Sequence, residues 1–355
     1  MAALPAQPPG WQPTALPLLN FSSDDGAGYG LQVSLYQYDG ASLPYASALS
    51  AQLFATTRGR WAHRLYLDLP RWRPAERLEM EFRYEKQDYA NYYADLDDTA
   101  AEALLAGAPV GERRQRSTFR QTYPRLTVMW LRALNQPWQL RAGLQAGYCR
   151  VRPNAGPGNL LFDLAPVGRD GGWLVLVNVA LRRDTRDDYN DPSGGTLAEL
   201  LLEYGGSPEG VRGGRLNAEH RRFLPLPGGL VLAQRAAITL AIGDLPFFEL
   251  PALGGDNSVR GLLEARERGE GRLLGNLELR WPGWSPVPSL PVRGGLLIFA
   301  DAGQIFPRRR GPSLGGWRTG TGLGARGHWH STIVRADLGR SEGRTGVYLK
   351  FSQVF

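Results

Sequence analysis

The chain lacks several features that mark other classes of protein. None of its 355 residues belongs to an uninterrupted apolar run of eighteen, which excludes a membrane protein built from transmembrane helices. Cys149 is the only cysteine, so neither an internal disulfide nor a cysteine-based metal cluster can form. Lysine is almost absent, because Lys86 and Lys350 are the only lysines among 41 basic residues.

Nearly all of the positive charge is therefore carried by arginine, and the net charge is +7. A basic balance can indicate nucleic-acid binding. The arginines here neither cluster on a helix nor interleave with aromatic residues as a stacking platform. They recur singly beside Asp and Glu, a pattern typical of a polar lumen, and we expect no nucleic-acid partner.

What the sequence does contain is strand-like alternation. Apolar residues make up 43% of the chain and glycine contributes 45 residues, which favours an all-β protein with many turns. In the segment 78–85, Leu78, Met80, Phe82 and Tyr84 alternate with charged residues. The same period of two recurs at 64–69, 276–281, 334–339 and 347–352. Segments of about ten residues have the length of tilted strands that cross a bilayer.

These segments predict a transmembrane antiparallel β-barrel of about sixteen strands. Short turns at 70–74, 135–137 and 226–229 alternate with longer loops at 95–113, 152–172 and 242–272, as periplasmic turns alternate with extracellular loops in such barrels. A capped helical turn is predicted at 97–105, within one long loop. Tryptophan and tyrosine near strand ends are typical of an interfacial girdle.

Both ends of the chain carry expectations. Residues 1–15 are predicted to form a flexible proline-rich tail and residues 16–355 the barrel. The first residues lack the basic and apolar parts of a signal peptide, so we expect the numbering to be that of a mature chain. At the other end, Val347, Leu349, Phe351 and Phe355 form a predicted lipid-facing set that is similar to the C-terminal strand signal of outer-membrane barrels, although Gln353 interrupts the apolar series.

Three motifs make a resemblance specific. Val259, Arg260 and Gly261 lie in the longest predicted loop, and Phe299-Ala300-Asp301-Ala302-Gly303 follows on a later strand. A turn near the middle of the chain contains Asp184, Arg186 and Asp187, followed by Gly195. These segments, in this order, resemble the sixth-loop Val-Arg-Gly-aromatic motif, the F-x-D-x-G strand and the D-x-R-D…P-x-G turn of the BamA/TamA superfamily of outer-membrane assembly and transport barrels (the bacterial surface antigen family). Leu262 replaces the aromatic residue of the loop motif.

The resemblance implies that the long extracellular loop folds back into the lumen. A guanidinium that leaves bulk water needs partners, and it can pair with carboxylates while it stacks on an aromatic face. We therefore predict that Arg260 pairs with Asp301, with Glu278 and Phe299 nearby. A guanidinium farther than about 6 Å from both carboxylates would contradict this prediction.

The resemblance also implies a member without periplasmic POTRA domains, because a short proline-rich tail cannot form one. As an assembly or transport barrel it would assist insertion or translocation of proteins or lipids at the bacterial outer membrane, where its first and last strands would meet in a weak seam. Its expected partners are membrane lipids, unfolded outer-membrane proteins or a separately encoded periplasmic partner. A homodimer is a further alternative. The alternative is a passive barrel, which would be a small pore, a lipid-homeostasis factor, a structural scaffold or a membrane anchor for a partner.

Catalytic and metal-binding functions are not favoured. His328 and His330 are spaced like ligands on one strand face, but a plain turn explains them, and the acidic residues of 95–98 and 184–191 match no EF-hand. No glycine-flanked serine nucleophile is present. We predict no enzyme activity, no metal and no cofactor.

Overall fold

The computed structural model describes residues 8–94, 96, 98–106, 108–285, 292–329, 332–351 and 353–355. Strands dominate the described part of the chain, with short helices confined to the connections. The strands are β1 (Gly10–Ser22), β2 (Gly26–Tyr38), β3 (Ser47–Thr56), β4 (Arg60–Arg73), β5 (Glu76–Asn91), β6 (Thr118–Ala133), β7 (Trp138–Pro153), β8 (Gly171–Asp184), β9 (Gly195–Gly206), β10 (Arg212–Pro225), β11 (Val231–Gly243), β12 (Ala252–Leu253), β13 (Glu267–Arg268), β14 (Gly271–Trp284), β15 (Val292–Phe306), β16 (Arg318–Trp329), β17 (Thr332–Ser341) and β18 (Arg344–Phe351). The α-helices are α1 (Asp98–Leu105), α2 (Val110–Arg116) and α3 (Leu160–Leu164), and single 3-10 turns lie at Pro227–Gly229 and Phe247–Glu249.

Sixteen of these strands close into one antiparallel barrel, so the predicted fold class is confirmed. Consecutive strands pair around the wall, β11 pairs with β14, and β1 meets β18 to complete the ring. The two-residue strands β12 and β13 form a separate ribbon inside the connection between β11 and β14. Among the described residues, no helix is long and apolar enough to cross a membrane.

The outer wall of the barrel is strongly apolar. Large hydrophobic side chains at alternate strand positions have exposed fractions between 38% and 64%. A sheet that faces water does not expose large apolar side chains to this extent over so many strands. Representative members are Leu19, Leu31, Leu53, Leu65, Phe82, Leu126, Leu144, Val177, Leu202, Leu277, Ile298, Leu323, Leu338 and Leu349. The intervening residues point inward and are largely polar, which is the inverse of a soluble protein and fits a wall surrounded by lipid.

The two ends of the barrel differ in their connections. One end carries the connections 92–117, 154–170 and 244–270, and we call it the loop end. The opposite end, here the turn end, carries the connections 74–75, 134–137, 185–194 and 226–230. This segregation is the one expected from the predicted turns and loops, and α1 lies inside the predicted helical segment, of which Asp97 lies outside the described residues.

The predicted turn 70–74 is strand as far as Arg73, and the boundary of the tail also differs from the prediction. The first strand begins at Gly10, so residues 10–15 belong to the barrel and not to the tail. The proline-rich composition of residues 1–15, which includes Pro13, made this segment look unlike a strand, because proline cannot donate to a ladder. Proline is nevertheless tolerated in a strand at the edge of a sheet, and β1 is such a strand because it lies at the seam of the barrel.

Candidate functional site

The longest connection, residues 244–270, carries the Val-Arg-Gly motif and contacts inward-facing side chains of the wall. Val259 and Leu262 are buried in an apolar cluster with Leu253 of the connection and with Ala237 and Leu274 of the wall. Leu262, which stands where the family has an aromatic residue, thus fills apolar space. Polar contacts of Arg260 with the wall also hold the connection 244–270 in place.

Arg260 is fully buried and meets the partners that the sequence predicts. Its Nε and Nη2 atoms donate to the two carboxylate oxygens of Asp301 at 2.8 and 2.9 Å. Its Nη1 atom donates to Glu278 at 2.7 Å. Its guanidinium carbon lies 3.4 Å from the ring centroid of Phe299. A bidentate, stacked guanidinium of this kind fixes both the position and the orientation of the loop.

The backbone of the motif is held as closely as its side chain. The amide of Arg260 donates to Asp301 at 3.1 Å, and the amide of Gly261 donates to the Tyr348 hydroxyl at 3.0 Å. Gly261 has a φ of +95°, and a Cβ there would lie 2.7 Å from the backbone of Arg340. The third motif position therefore requires glycine for both its backbone angle and its close approach to β17.

Further charged residues surround this contact, and the sequence did not single them out. Asp337 accepts from Arg260 Nη1 at 3.4 Å and from Arg326 at 2.5 Å, while Arg280 donates to Glu278 at 2.8 Å. Arg335 pairs with Asp256, which Lys350 also reaches at 3.5 Å. The signal for these residues was their inward position on alternating strands, but alternation alone does not say which inward residues meet. Each buried charge thus has an opposite charge beside it, as burial requires.

The turn motif forms a compact structure at the turn end. Arg186 donates two hydrogen bonds to Asp184, at 2.9 and 2.7 Å. Asp187 accepts from the backbone amide of Ser193 at 2.9 Å and from its hydroxyl. Gly195 has a φ of +94°, and a Cβ there would lie 2.2 Å from the carbonyl oxygen of Thr185. This motif therefore shapes a turn and is not close to the Arg260 site.

Asp187 gives this turn a pH dependence with a definite sign. Partial burial disfavours its charge, but the hydrogen bonds from Ser193 and Gly194 outweigh this and lower the pKa of Asp187 below its usual value. A carboxylate with a lowered pKa stabilises the turn above its unfolded-state pKa, and that stability is lost as the pH falls through the folded value.

We expect Asp187→Ala to lower the amide hydrogen-exchange protection of residues 185–194 about tenfold at neutral pH, because hydrogen bonds to a charged acceptor are lost. The wild-type turn should lose the same protection only when the pH falls below about 4. Asp170→Ala, at a highly exposed position in another connection, is the control and should leave the turn unchanged. Equal protection in Asp187→Ala and the wild type at neutral pH would contradict this assignment.

The C-terminal residues depart from the prediction. Val347 and Leu349 face outward and are 42% and 38% exposed, and Phe351 ends β18 half-buried. Phe355, predicted to face lipid, is instead buried against Phe223 of the inner wall. The prediction for Phe355 is wrong because the chain leaves the sheet after Phe351, and the last aromatic ring finds an apolar contact in the lumen.

Polar contacts hold this segment in the lumen. Arg280 donates to the carbonyl oxygen of Phe355 at 3.3 Å, and its guanidinium lies 5.2 Å from the Phe355 ring centroid. Gln353 accepts a hydrogen bond from Arg326 at 2.8 Å. The same arginines that surround the loop motif therefore also hold the segment that follows β18.

The residues weighed as metal ligands do not assemble. His328 lies 3.3 Å from Asp191, and His330 lies outside the described residues. Asp95 and Asp97 also lie outside them. Within the described ranges, no three His, Cys, Asp or Glu side chains are grouped so that they could hold a metal ion.

The family model of the Omp85 superfamily domain matches residues 62–331, which is most of the chain and includes both the loop motif and the F-x-D-x-G strand. The chain belongs to the Omp85 superfamily. As a closed barrel of this superfamily, it is a protein of the bacterial outer membrane. No curated protein sequence matches it.

Solved structures resemble this Omp85 barrel in fold. BamA from Haemophilus ducreyi lacking POTRA domains 1–3 is 14% identical with a TM-score of 0.64, covering 96% of this chain and 69% of BamA. CdiB from Escherichia coli is 13% identical with a TM-score of 0.67, covering 98% and 63%. CdiB from Acinetobacter baumannii is 12% identical with a TM-score of 0.58, covering 97% and 65%. The chain thus spans about two thirds of the length of each.

Proposed function

We propose that this Omp85 barrel assists the insertion or translocation of proteins, or of lipids, at the outer membrane by opening laterally between β1 and β18. The observation that carries the proposal is the register of that seam. β1 pairs with β2 along its whole length, from Gly10 to Ser22. With β18 it pairs only at Phe21–Leu349 and Ser22–Tyr348. Few ladder bonds therefore oppose separation of these two strands.

Among the residues that the structure describes, the contacts between β1 and β18 lie at the loop end. The Ser23 amide donates to the carbonyl of Val347 at 3.0 Å, and Arg344 forms an ion pair with Asp24 at 2.7 Å. Residues 13–20 of β1 lie outside the ladder with β18. An edge strand of this kind is a template on which another strand can add by backbone hydrogen bonding. A client strand would enter there, toward the turn end of the barrel.

The filled interior supports lateral opening over conduction through the lumen. The connection 244–270 occupies the space beside β14, β15 and β17 through the Arg260 contacts. A second apolar cluster joins Phe247 of the same connection to Tyr92, Phe119 and Leu161 at the loop end. A passive pore would need this space to be open, so the alternative function is less well supported.

A reversible disulfide across the seam tests the proposal. In a Cys149→Ser background, Phe21→Cys with Leu349→Cys places two cysteines at directly paired, outward-facing positions, which is close enough for a disulfide. The control joins Ala336→Cys to the same Leu349→Cys, a pair in the ordinary ladder between β17 and β18. The readout is the folding rate of an unfolded model barrel protein in liposomes that contain each variant.

We expect the reduced seam variant to accelerate client folding over empty liposomes, and the oxidised variant to lose that acceleration. Reductant should restore it, and oxidation of the control pair should have no effect. If the wild-type barrel does not accelerate client folding at all, the protein-insertion proposal fails. If the oxidised seam variant remains active, insertion does not use this seam.

A further inference from the structure

An apolar groove crosses the outer wall on the side of the barrel opposite the seam. It has a volume of about 780 Å³, and Trp138 and Trp317 both line it. Its floor is made by small outward-facing residues of four neighbouring strands, which are Ala198, Ala218, Ala236 and Gly275. Taller side chains rise beside the floor, namely Leu181, Leu200, Ile238 and Leu273. We call this feature the wall groove.

The wall groove results from strand register and not from a single segment. Ala198 pairs with His220, His220 with Ala236, and Ala236 with Gly275. These residues therefore form one row across β9, β10, β11 and β14. Because three of the four lack a side chain larger than a methyl group, the row is a depression. Toward the loop end it is bounded by the row of Leu181, Leu200, Ile238 and Leu273, and toward the turn end by Thr196, Arg222, Gln234 and Leu277.

The row runs obliquely across about one leaflet of the membrane. From β7 to β14 the groove spans five strand spacings of about 4.8 Å, or about 24 Å. On β9 the row passes through Ala198, three residues from the end of that strand at the turn end of the barrel. On β14 it passes through Gly275, four residues from the end of that strand at the loop end. With strands tilted by about 40°, this row rises by roughly 15 Å, which is half of a ~30 Å hydrocarbon core, or one leaflet.

Two arginines lie at the end of the groove that is nearer the turn end of the barrel. Arg183 pairs in register with both Trp138 and Ala198, and it donates to the Thr196 hydroxyl at 3.2 Å. Arg222 is exposed on the same outer face and pairs in register with Thr196. Neither arginine forms an ion pair with any residue that the structure describes. Two unneutralised guanidinium groups at the membrane boundary favour an anionic phosphate.

We propose that the wall groove binds one phospholipid, with an acyl chain against the small floor residues Ala198, Ala218, Ala236 and Gly275 and the phosphate beside Arg183 and Arg222. The occupant is a lipid because this face of the sheet lies in the membrane, where lipid is the surrounding solvent. Its headgroup belongs to the leaflet at the turn end, since the charged end of the groove lies there. Trp138 packs at the level where an interfacial aromatic side chain is favoured. The site is independent of the proposed seam.

Native mass spectrometry of the intact barrel in detergent, titrated with phosphatidylglycerol, tests the proposal. Ala218→Leu with Ala236→Leu fills the floor of the groove. Ala325→Leu with Ala336→Leu makes the same change at two paired, outward-facing alanines of β16 and β17, far from the groove. Arg183→Gln with Arg222→Gln removes the charge, and Arg340→Gln, at an exposed arginine on the outer face of β17, is its control. Heat-modifiable migration on gels verifies that each variant is folded.

We expect the wild type and both controls to retain one phosphatidylglycerol, and the groove-filling pair to lose it. Removing the two arginines should weaken retention by about fivefold for each charge. Equal retention by the groove-filling pair and its alanine control would overturn the proposal. So would a dimer of the wild type that disappears on filling the groove while lipid retention is unchanged, since a second copy of the chain would then be the occupant.

Discussion

Arg260→Met is expected to destabilise the folded barrel by about 3–5 kcal/mol, because it leaves the buried carboxylate of Asp301 without its main partner and removes one of the arginine partners of Glu278. Both carboxylate side chains are fully buried, so solvent cannot replace the lost guanidinium. The measurement is denaturant unfolding in detergent micelles, together with proteolysis of the connection 244–270, which should become accessible. Methionine is similar in length to arginine. Most of the lost stability is therefore electrostatic and does not come from a cavity.

A double-mutant cycle separates this effect from general damage. In the Arg260→Met background, Asp301→Asn should cost much less than in the wild type, because the unpaired charge is removed. Arg132→Met is the control, and it should cost less than about 1 kcal/mol because its ion pair with Glu76 is long and half-exposed. A loss below about 1 kcal/mol for Arg260→Met would mean that the loop is not held by this contact. Arg260→Lys should recover only part of the loss, since lysine can neither donate in a bidentate manner nor stack on Phe299.

Gly320→Val should displace the motif while leaving every charge in place. A Cβ at Gly320 would lie 2.3 Å from the carbonyl oxygen of Arg260 and 3.1 Å from the Val259 side chain. The backbone of Arg260 must move away from a side chain this close, so we expect the connection 244–270 to leave its position in the lumen. The expected result is a several-fold increase in ion conductance across planar bilayers, because the displaced segment no longer fills the interior.

The same strand provides a matched control for this change. Gly327 also lies on β16, but a Cβ there would have no neighbouring atom within 4 Å. Gly327→Val should therefore conduct like the wild type. If Gly320→Val folds, as judged by heat-modifiable migration, and its conductance stays at the wild-type level, then the motif does not control access to the lumen.

Local pattern explains why so much of the fold could be predicted. The alternation of Leu78, Met80, Phe82 and Tyr84 with charged residues assigns one face of a strand to lipid. This assignment needs no knowledge of the neighbouring strands, because successive side chains of any strand point to opposite faces. Loop and turn lengths assign connections to the two ends for the same local reason. The partners of Arg260 were also accessible, because the motif resemblance pointed to Asp301 and Phe299 and the strand alternation placed Glu278 on the lumen side.

Errors and omissions arose where pairing is not local. The tail boundary was wrong because a proline-rich segment that includes Pro13 resembles a linker until β1 is known to lie at a seam. Asp337 and Tyr348 lie 77 and 87 residues from the motif residues that they contact. No local signal selects them among the many inward-facing residues of the last strands.

The sequence by itself determined that this protein is a membrane barrel with an arginine-bearing loop, since alternation, connection length and three motifs are properties of short segments. Tertiary structure alone decided how few residues pair across the seam, where the wall groove runs and that Phe355 enters the lumen. Each of these depends on the register between strands or on the closure of the ring. Register aligns residues such as Ala198, Ala236 and Gly275 that are far apart in the chain, and closure determines that β18 covers only the last two residues of β1.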